Sequence, residues 1–110
     1  MIIVSEKMVQ DAFDWLEEHA GTAAVAKAEK IRAEYNVKAT RGRLFCEAIG
    51  TVAERDAIAV CDVEFQAATD REAEAVEKDE WHRVNRSKCE AIIEAWRTES
   101  ANYRSMGKVA

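Results

Sequence analysis

Apolar residues recur at helical spacing near the start of the chain. The positions that share one helix face lie three and four residues apart: Met8, Val9, Ala12, Phe13 and Leu16. Ser5 precedes them as a suitable N-cap, with Val4 and Val9 placed as a hydrophobic staple around it. Gly21 follows them as a helix terminator. The pattern therefore predicts a short N-terminal helix within residues 1–21.

A second helical pattern begins after Gly21, with Thr22 as its N-cap. Its apolar positions again follow helical spacing: Val25, Ala28, Ile31, Tyr35, Leu44, Phe45, Ala48 and Ile49. The middle of the segment, residues 36–43, is polar and contains Gly42. A glycine inside a helix costs about 1 kcal/mol relative to alanine, so we expect a helix over 22–50 that bends or frays there.

The stretch "GTVAE", residues 50–54, is the clearest turn signal in the chain. Gly50 can end one helix, Thr51 can cap the next, and Glu54 lies three residues further on, as a capping box requires. A turn this short makes the flanking helices antiparallel neighbours. The sequence therefore predicts a helical hairpin.

The helical pattern after the turn has no glycine or proline from residue 52 to residue 103. "TDRE", residues 69–72, offers a second capping box and hence a break near Ala68, but we favour a continuous helix over 51–104 with a tail at 105–110. The run "AIAVCDVEF" is apolar nearly all round and is expected to be buried on more than one side. The predicted fold is all-α: one domain, 1–110, built as an antiparallel helical hairpin with a long C-terminal helix and a short N-terminal helix.

The C-terminal part of the long predicted helix carries an apolar stripe that must be buried against another surface. The stripe includes Trp81, Val84, Ile92 and Trp96. The N-terminal helix could cover these side chains by folding back across the hairpin; otherwise a second copy of the chain does, since an exposed patch of this kind aggregates. We therefore predict a homo-oligomer with these four residues at its interface.

Composition excludes several classes of protein. No run approaches the roughly 20 apolar residues that span a bilayer, and "MIIV" is too short for a secretory signal, so a cytoplasmic location without membrane contact is expected. The three cysteines form no CxxC pair, and they are interpreted as buried thiols that act as small hydrophobic residues rather than as redox or metal ligands. His19 and His82 lie far apart in sequence, and no nucleophile, phosphate-loop or HExxH motif occurs. We predict a non-enzyme without metal or cofactor.

Charge is segregated along the chain. Residues 1–26 sum to minus four, residues 27–43 to plus four, residues 44–80 to minus eight and residues 81–110 to plus three. One interpretation is that basic and acidic segments pair across the hairpin. The other is a strip that binds nucleic-acid phosphates, with Arg41 and Arg43 as the main contacts and three secondary cations: Lys38, Arg83 and Arg86.

A resemblance to a known group of proteins bears on the choice between ion pairing within the hairpin and a phosphate-binding strip. "RGRLFCEAIGTVAERDAIAVCDVEF" followed by "IIEAWRTESANYR" resembles small helical tailed-phage and prophage proteins that look like partners of phage recombination systems. These proteins are similar in outline to the UvsY-type recombination mediators, which bind single-stranded DNA and help to load a recombinase. The family's Lys-x-Arg-Leu element is matched here by Arg41, Arg43 and Leu44, while Gly42 departs from it. The resemblance covers roughly residues 25–104.

The resemblance implies a recombination accessory protein in a phage-infected or lysogenic bacterium. Its partners would be single-stranded DNA and a recombinase or a single-strand annealing or binding protein. The alternative is a non-catalytic oligomeric protein-interaction module, for example an acidic inhibitor of a host nucleic-acid-binding protein. Eleven acids between residues 44 and 80 would suit a basic partner.

Overall fold

A computed structural model of the chain describes residues 4 to 109. These residues form three α-helices and no strand: α1 (Glu6–Glu47), α2 (Val52–Cys61) and α3 (Val63–Val109). The prediction of an all-α helical hairpin with a long C-terminal helix is confirmed.

The start of α1 follows the predicted capping pattern. The Ser5 hydroxyl accepts a hydrogen bond from the Met8 amide at 3.2 Å, and the Ser5 carbonyl accepts from the Val9 amide at 3.2 Å. Val4 and Val9 are both buried, as a hydrophobic staple requires. The cap therefore fixes the first turn of α1 where the sequence placed it.

The predicted helix boundary at Gly21 and Thr22 is wrong, because α1 continues through both residues to Glu47. The Thr22 hydroxyl does not cap a new helix; it donates to the His19 carbonyl within α1 at 3.1 Å. Alanines on either side of the glycine favour the helix and offset the cost of about 1 kcal/mol that glycine imposes. The expected fraying at Gly42 is likewise absent, since α1 is helical there too.

The turn between α1 and α2 is the predicted one. Gly50 adopts φ 137°, a left-handed conformation that favours glycine. The Thr51 hydroxyl accepts from the Glu54 amide at 3.2 Å and donates to the Glu54 carboxylate at 3.1 Å. Gly50 and the Thr51 cap thus end one helix and start the next within a few residues.

The predicted continuous helix over 51–104 is wrong, because the C-terminal arm breaks at Asp62, a position that the sequence pattern did not indicate. The helix α3 also extends to Val109, through the tail predicted at 105–110. Asp62 is extended (φ −69°, ψ 141°), its amide donates to the Ala59 carbonyl at 3.3 Å, and its carboxylate accepts from the Glu64 amide at 2.8 Å. Asp62 therefore ends α2 and caps α3. The alternative break near Ala68 does not occur, and the favoured continuity past Thr69 is confirmed, since the Thr69 hydroxyl donates to the Phe65 carbonyl inside α3.

The chain divides into two compact units, of which the first pairs residues up to Ala23 with residues from Trp81 onward. Its core is a cluster of Ala12, Cys89 and Ile93, against which three partly buried side chains pack: Trp15, Leu16 and Ile92. The Val4 amide donates to the Glu99 carboxylate at 3.3 Å. Within this unit the beginning of α1 runs antiparallel to the end of α3.

The second unit comprises Ala24–Glu80. Its buried apolar residues are mostly alanines: Ala26, Leu44, Ala59, Ala68 and Ala75. Small side chains let the helices approach closely but bury little apolar surface. The expectation that residues 57–65 are buried on more than one side is wrong, because Ile58, Val60 and Val63 are exposed and only Ala59 is buried there.

Candidate interaction surfaces

Arg41, the first of the predicted phosphate contacts, is held by a carboxylate of α2. Its Nη2 lies 2.6 Å from Asp56 Oδ1, and its Nε donates to the same oxygen at 3.2 Å. Both side chains are about half exposed, at 48% each. A phosphate would have to compete with Asp56 for the guanidinium of Arg41.

Arg43 is paired twice. Its Nη1 donates to both carboxylate oxygens of Glu47, one turn further along α1, at 3.1 and 3.2 Å. Its Nη2 donates to the Glu64 carboxylate of α3. The hydrogen bonds that Arg43 donates to Glu47 first, and then to Glu64, raise the pKa of its guanidinium above the ordinary value. Arg43 is therefore engaged by two acids of its own chain.

Lys30 extends the same pattern, with its Nζ 3.5 Å from the Asp79 carboxylate of α3. The structure thus contains the cross-hairpin pairing that was one of the two interpretations of the charge pattern. These pairs are exposed or partly exposed, so each contributes little to stability. Their main effect is to reduce the positive potential that Arg41 and Arg43 present to an anion.

Other cations of α1 keep their charge uncompensated. Within residues 4–109, no carboxylate lies in ion-pair distance of Lys27, Arg32 or Lys38. Tyr35 lies among them on α1 and is 73% exposed. This group, rather than Arg41 and Arg43, provides available positive charge on the part of α1 that belongs to the second unit.

A cleft of ≈ 400 Å³ opens at Gly42, where the basic segment meets α2. We call it the Gly42 cleft, and its lining residues are Lys38, Arg41, Gly42, Phe45, Cys46 and Asp56. The Arg55 guanidinium lies 4.3 Å from the Phe45 ring centroid, and Arg55 Nε donates to the Phe45 carbonyl at 3.1 Å, so the ring is held in place. In the sequence, Gly42 stands out as a weak point of the predicted helix and as a departure from the Lys-x-Arg-Leu element. The cleft itself depends on Asp56 of α2, which no local pattern placed beside Gly42.

The remaining predicted phosphate contacts, Arg83 and Arg86, are exposed residues of α3 in the first unit, whereas Lys38, Arg41 and Arg43 belong to the second. Arg83 and its neighbour His82 both make interactions within the chain.

The predicted oligomer-interface residues of α3 differ in exposure. Trp81 is 50% exposed, Val84 55% and Trp96 37%. Ile92 is partly buried against the cluster of Ala12, Cys89 and Ile93. Residues 4–23 of α1 thus cover part of the stripe, as one alternative anticipated, and leave Trp81 and Val84 accessible.

Trp81 also belongs to an aromatic group in the first unit. Trp15 and His19 stack at 4.3 Å between ring centroids, Trp81 lies 5.8 Å from Trp15 and 5.7 Å from His19, and His82 lies 4.9 Å from Trp81. The His19 Nδ1–H donates to the Trp15 carbonyl at 3.0 Å. These contacts fix the orientation of the half-exposed Trp81 ring.

The cysteines do not share one environment. Cys89 is buried, and burial raises the pKa of its thiol above the ordinary value, whereas Cys46 and Cys61 are exposed. The interpretation of all three as buried hydrophobic residues is therefore correct for Cys89 alone. Over residues 4–109, no group of three or more histidine, cysteine, aspartate or glutamate side chains is arranged to hold a metal ion. None of the three described helices combines the length and apolar character that crossing a bilayer requires.

Comparisons with protein-family models, with curated proteins and with solved structures give no match to this chain.

Proposed function

We propose that this chain is a non-catalytic helical interaction module that self-associates through apolar side chains of α3. The observation that carries the proposal is the exposure of Trp81 and Val84 in the unit whose core is the cluster of Ala12, Cys89 and Ile93. Large apolar side chains that are half exposed and held in a fixed orientation are typical of contact surfaces, where aromatic anchors supply most of the binding free energy.

The test is the molar mass in solution as a function of protein concentration, measured by sedimentation velocity or by light scattering after gel filtration. We expect a concentration-dependent increase above the monomer mass. Val84→Lys should reduce it, because the substitution places a charge in the proposed contact. Ala101→Lys is the control, since it adds the same charge at an exposed position of α3 that lies about 100° around the helix from Val84. A wild-type chain that remains monomeric at every concentration would rule the proposal out.

A second candidate function is binding of single-stranded DNA, as the resemblance to recombination accessory proteins implies. The observation that favours it is the group of uncompensated cations Lys27, Arg32 and Lys38 around the exposed Tyr35. Phosphates bind such cations, and bases stack on an accessible ring. The proposed contacts therefore move along α1, away from Arg41 and Arg43, whose charges are shared with Asp56, Glu47 and Glu64.

Fluorescence anisotropy of a labelled oligothymidylate, measured at several salt concentrations, tests this second candidate. The double variant Lys27→Gln/Lys38→Gln should weaken binding more than Arg41→Gln/Arg43→Gln does, although both remove two charges. With two or three phosphates neutralised, the logarithm of the affinity should fall with the logarithm of salt at a slope of about −1.4 to −2. An oligonucleotide that does not bind at low salt would exclude a mediator role and leave the protein-interaction role, including inhibition of a nucleic-acid-binding protein.

A further inference from the structure

The Gly42 cleft has the properties of a receptor for one apolar side chain that is accompanied by an acid. Its volume of ≈ 400 Å³ exceeds the 150 Å³ or so of an engineered cavity that holds a benzene molecule. Its lining includes Phe45, whose ring is held by Arg55, and Gly42, where an added Cβ would meet no atom within 4 Å. The cleft is therefore open and preformed.

The net positive charge at the lining of the cleft favours an anionic ligand. Arg41 and Asp56 line the cleft, but they neutralise each other at 2.6 Å. Lys38 also lines it, and within the described chain no carboxylate pairs with this lysine. An apolar group with a carboxylate beside it would fill the cleft and pair with Lys38.

The beginning of α1 presents a group of this kind. Phe13 is 46% exposed, although it lies in the apolar pattern of the sequence. Glu17, one turn further on, and Asp14 are exposed beside it. Among residues 4–109 no cation lies within ion-pair distance of either acid, and Asp14 accepts only from Gln10, at 2.9 Å. Phe13 is thus an accessible aromatic side chain with uncompensated acids around it.

We propose that the Gly42 cleft receives Phe13 of a second copy of the chain, with Glu17 of that copy paired to Lys38. The two sides carry opposite charge, since residues 1–26 sum to minus four and residues 27–43 to plus four. Such a contact is heterologous, because it joins two different surfaces of identical chains. It rests on the proposed self-association and adds a second contact that does not involve Trp81 or Val84.

The test uses substitutions that leave the helix intact. An added Cβ at Gly42 meets no atom within 4 Å, so Gly42→Leu introduces an apolar side chain at the lining of the cleft and replaces a helix-weakening residue by a helix-favouring one. Gly21→Leu makes the same replacement at a site in α1 that lines no described cleft. We expect Gly42→Leu to raise the dissociation constant of the assembly roughly tenfold or more, the effect of losing an aromatic anchor. Gly21→Leu should leave the dissociation constant unchanged.

Charge reversal provides an independent arm of the test. Lys38→Glu and Glu17→Lys should each weaken the assembly, because each places like charges together. The double variant Lys38→Glu/Glu17→Lys should restore it, because the pair is re-formed with opposite polarity. All variants are measured by sedimentation velocity, with circular dichroism as the check on helix content.

The outcomes separate this inference from the function on which it rests. A wild-type chain that is monomeric throughout overturns both. A wild-type chain that assembles, with Gly42→Leu assembling as tightly as Gly21→Leu and no rescue by the charge-reversed double variant, overturns the docking of Phe13 alone. Weaker assembly of Gly42→Leu, together with restored assembly of the double variant Lys38→Glu/Glu17→Lys, supports the docking of Phe13.

Discussion

The Arg41 guanidinium donates to one carboxylate oxygen of Asp56 through Nη2 at 2.6 Å and through Nε at 3.2 Å. This pair joins α1 to α2 just beyond the turn at Gly50. It also determines how the basic segment around Gly42 can act, because a cation engaged within its own chain attracts an external phosphate less strongly. The surface that remains available is the one around Lys38.

The pair itself should contribute little to folding. Both side chains are 48% exposed, so in a double-mutant cycle we expect Arg41→Ala and Asp56→Ala to couple by about 0.2–1 kcal/mol in the free energy of unfolding. The measurement is urea unfolding of the two single variants and the double variant at low and high salt. The coupling should decrease at high salt because exposed charges are screened. A coupling of several kcal/mol that salt does not change would contradict the interpretation as a surface pair.

The two glycines inside α1 should be replaceable with a gain in stability. Gly21 and Gly42 are both helical, and an added Cβ meets nothing within 4 Å at either position. Gly21→Ala and Gly42→Ala should each raise the free energy of unfolding by about 0.5–1 kcal/mol, since alanine loses less backbone entropy in a helix. Thermal or urea unfolding measures the change. Destabilisation of either variant would contradict the continuous α1.

Replacement of Gly50 by alanine should lower the stability of the protein, in contrast to replacement of Gly21 or Gly42. Its φ of 137° is a conformation that side-chain-bearing residues rarely adopt, and an added Cβ would lie 2.8 Å from Glu54 Oε2. We expect Gly50→Ala to lower the free energy of unfolding by about 1–3 kcal/mol, the cost of holding a non-glycine residue in a disfavoured backbone region. The matched control is Gly42→Ala, measured by the same unfolding experiment. Equal stability of the two alanine variants would show that the turn does not need its glycine.

The Thr51 cap can be tested separately from the turn. Its hydroxyl accepts from the Glu54 amide, so Thr51→Ala removes the cap of α2 and should cost about 0.5–2 kcal/mol of stability. Thr51→Ser retains a hydroxyl and should lie within a few tenths of a kcal/mol of wild type. The readout is urea unfolding followed by helical circular dichroism. A Thr51→Ala chain as stable as Thr51→Ser would mean that the cap is unimportant.

The three thiols should differ in reactivity according to their burial, and the stability that Cys89 contributes should depend on pH. Cys46 and Cys61 are exposed and should react quickly with a disulfide reagent at neutral pH, whereas Cys89 should react slowly, because it is buried and its thiol pKa is raised by burial. The unfolded chain then loses the Cys89 proton at a lower pH than the folded chain does. Stability associated with Cys89 is therefore fully present below the ordinary thiol pKa and is lost as pH rises towards the folded value.

The control for this pH dependence is Cys89→Ala. Unfolding of the wild-type and Cys89→Ala chains is compared across the alkaline range, and the difference in free energy between them should shrink as pH rises. Three thiols of equal reactivity in the folded protein, or a difference that grows with pH, would contradict the burial of Cys89.

Local chemistry made much of the fold predictable. The caps at Ser5 and Thr51 and the glycine at position 50 each act through residues a few positions away, so their patterns in the sequence are sufficient. The helix boundaries that were predicted wrongly are those where the rest of the fold overrode a local sequence signal. Gly21 and Thr22 form a typical helix boundary, yet the surrounding alanines and the helical packing of α1 carry the helix through them. Asp62 lies in an apolar run whose periodicity conceals its role as a cap.

The sequence by itself determined the all-α fold class, the helix caps at Ser5 and Thr51, the position of the hairpin turn and the opposite charges of its segments, because these depend on periodicity, capping and composition. Only the tertiary structure decided which charges are compensated between helices: Arg41 pairs with Asp56 of α2 and Arg43 with Glu64 of α3, at separations of 15 and 21 residues, while Lys38 finds no carboxylate among the described residues. Ion pairing and side-chain exposure depend on which faces of distant segments meet. No local pattern specifies that register, so the location of the free surface had to come from the fold.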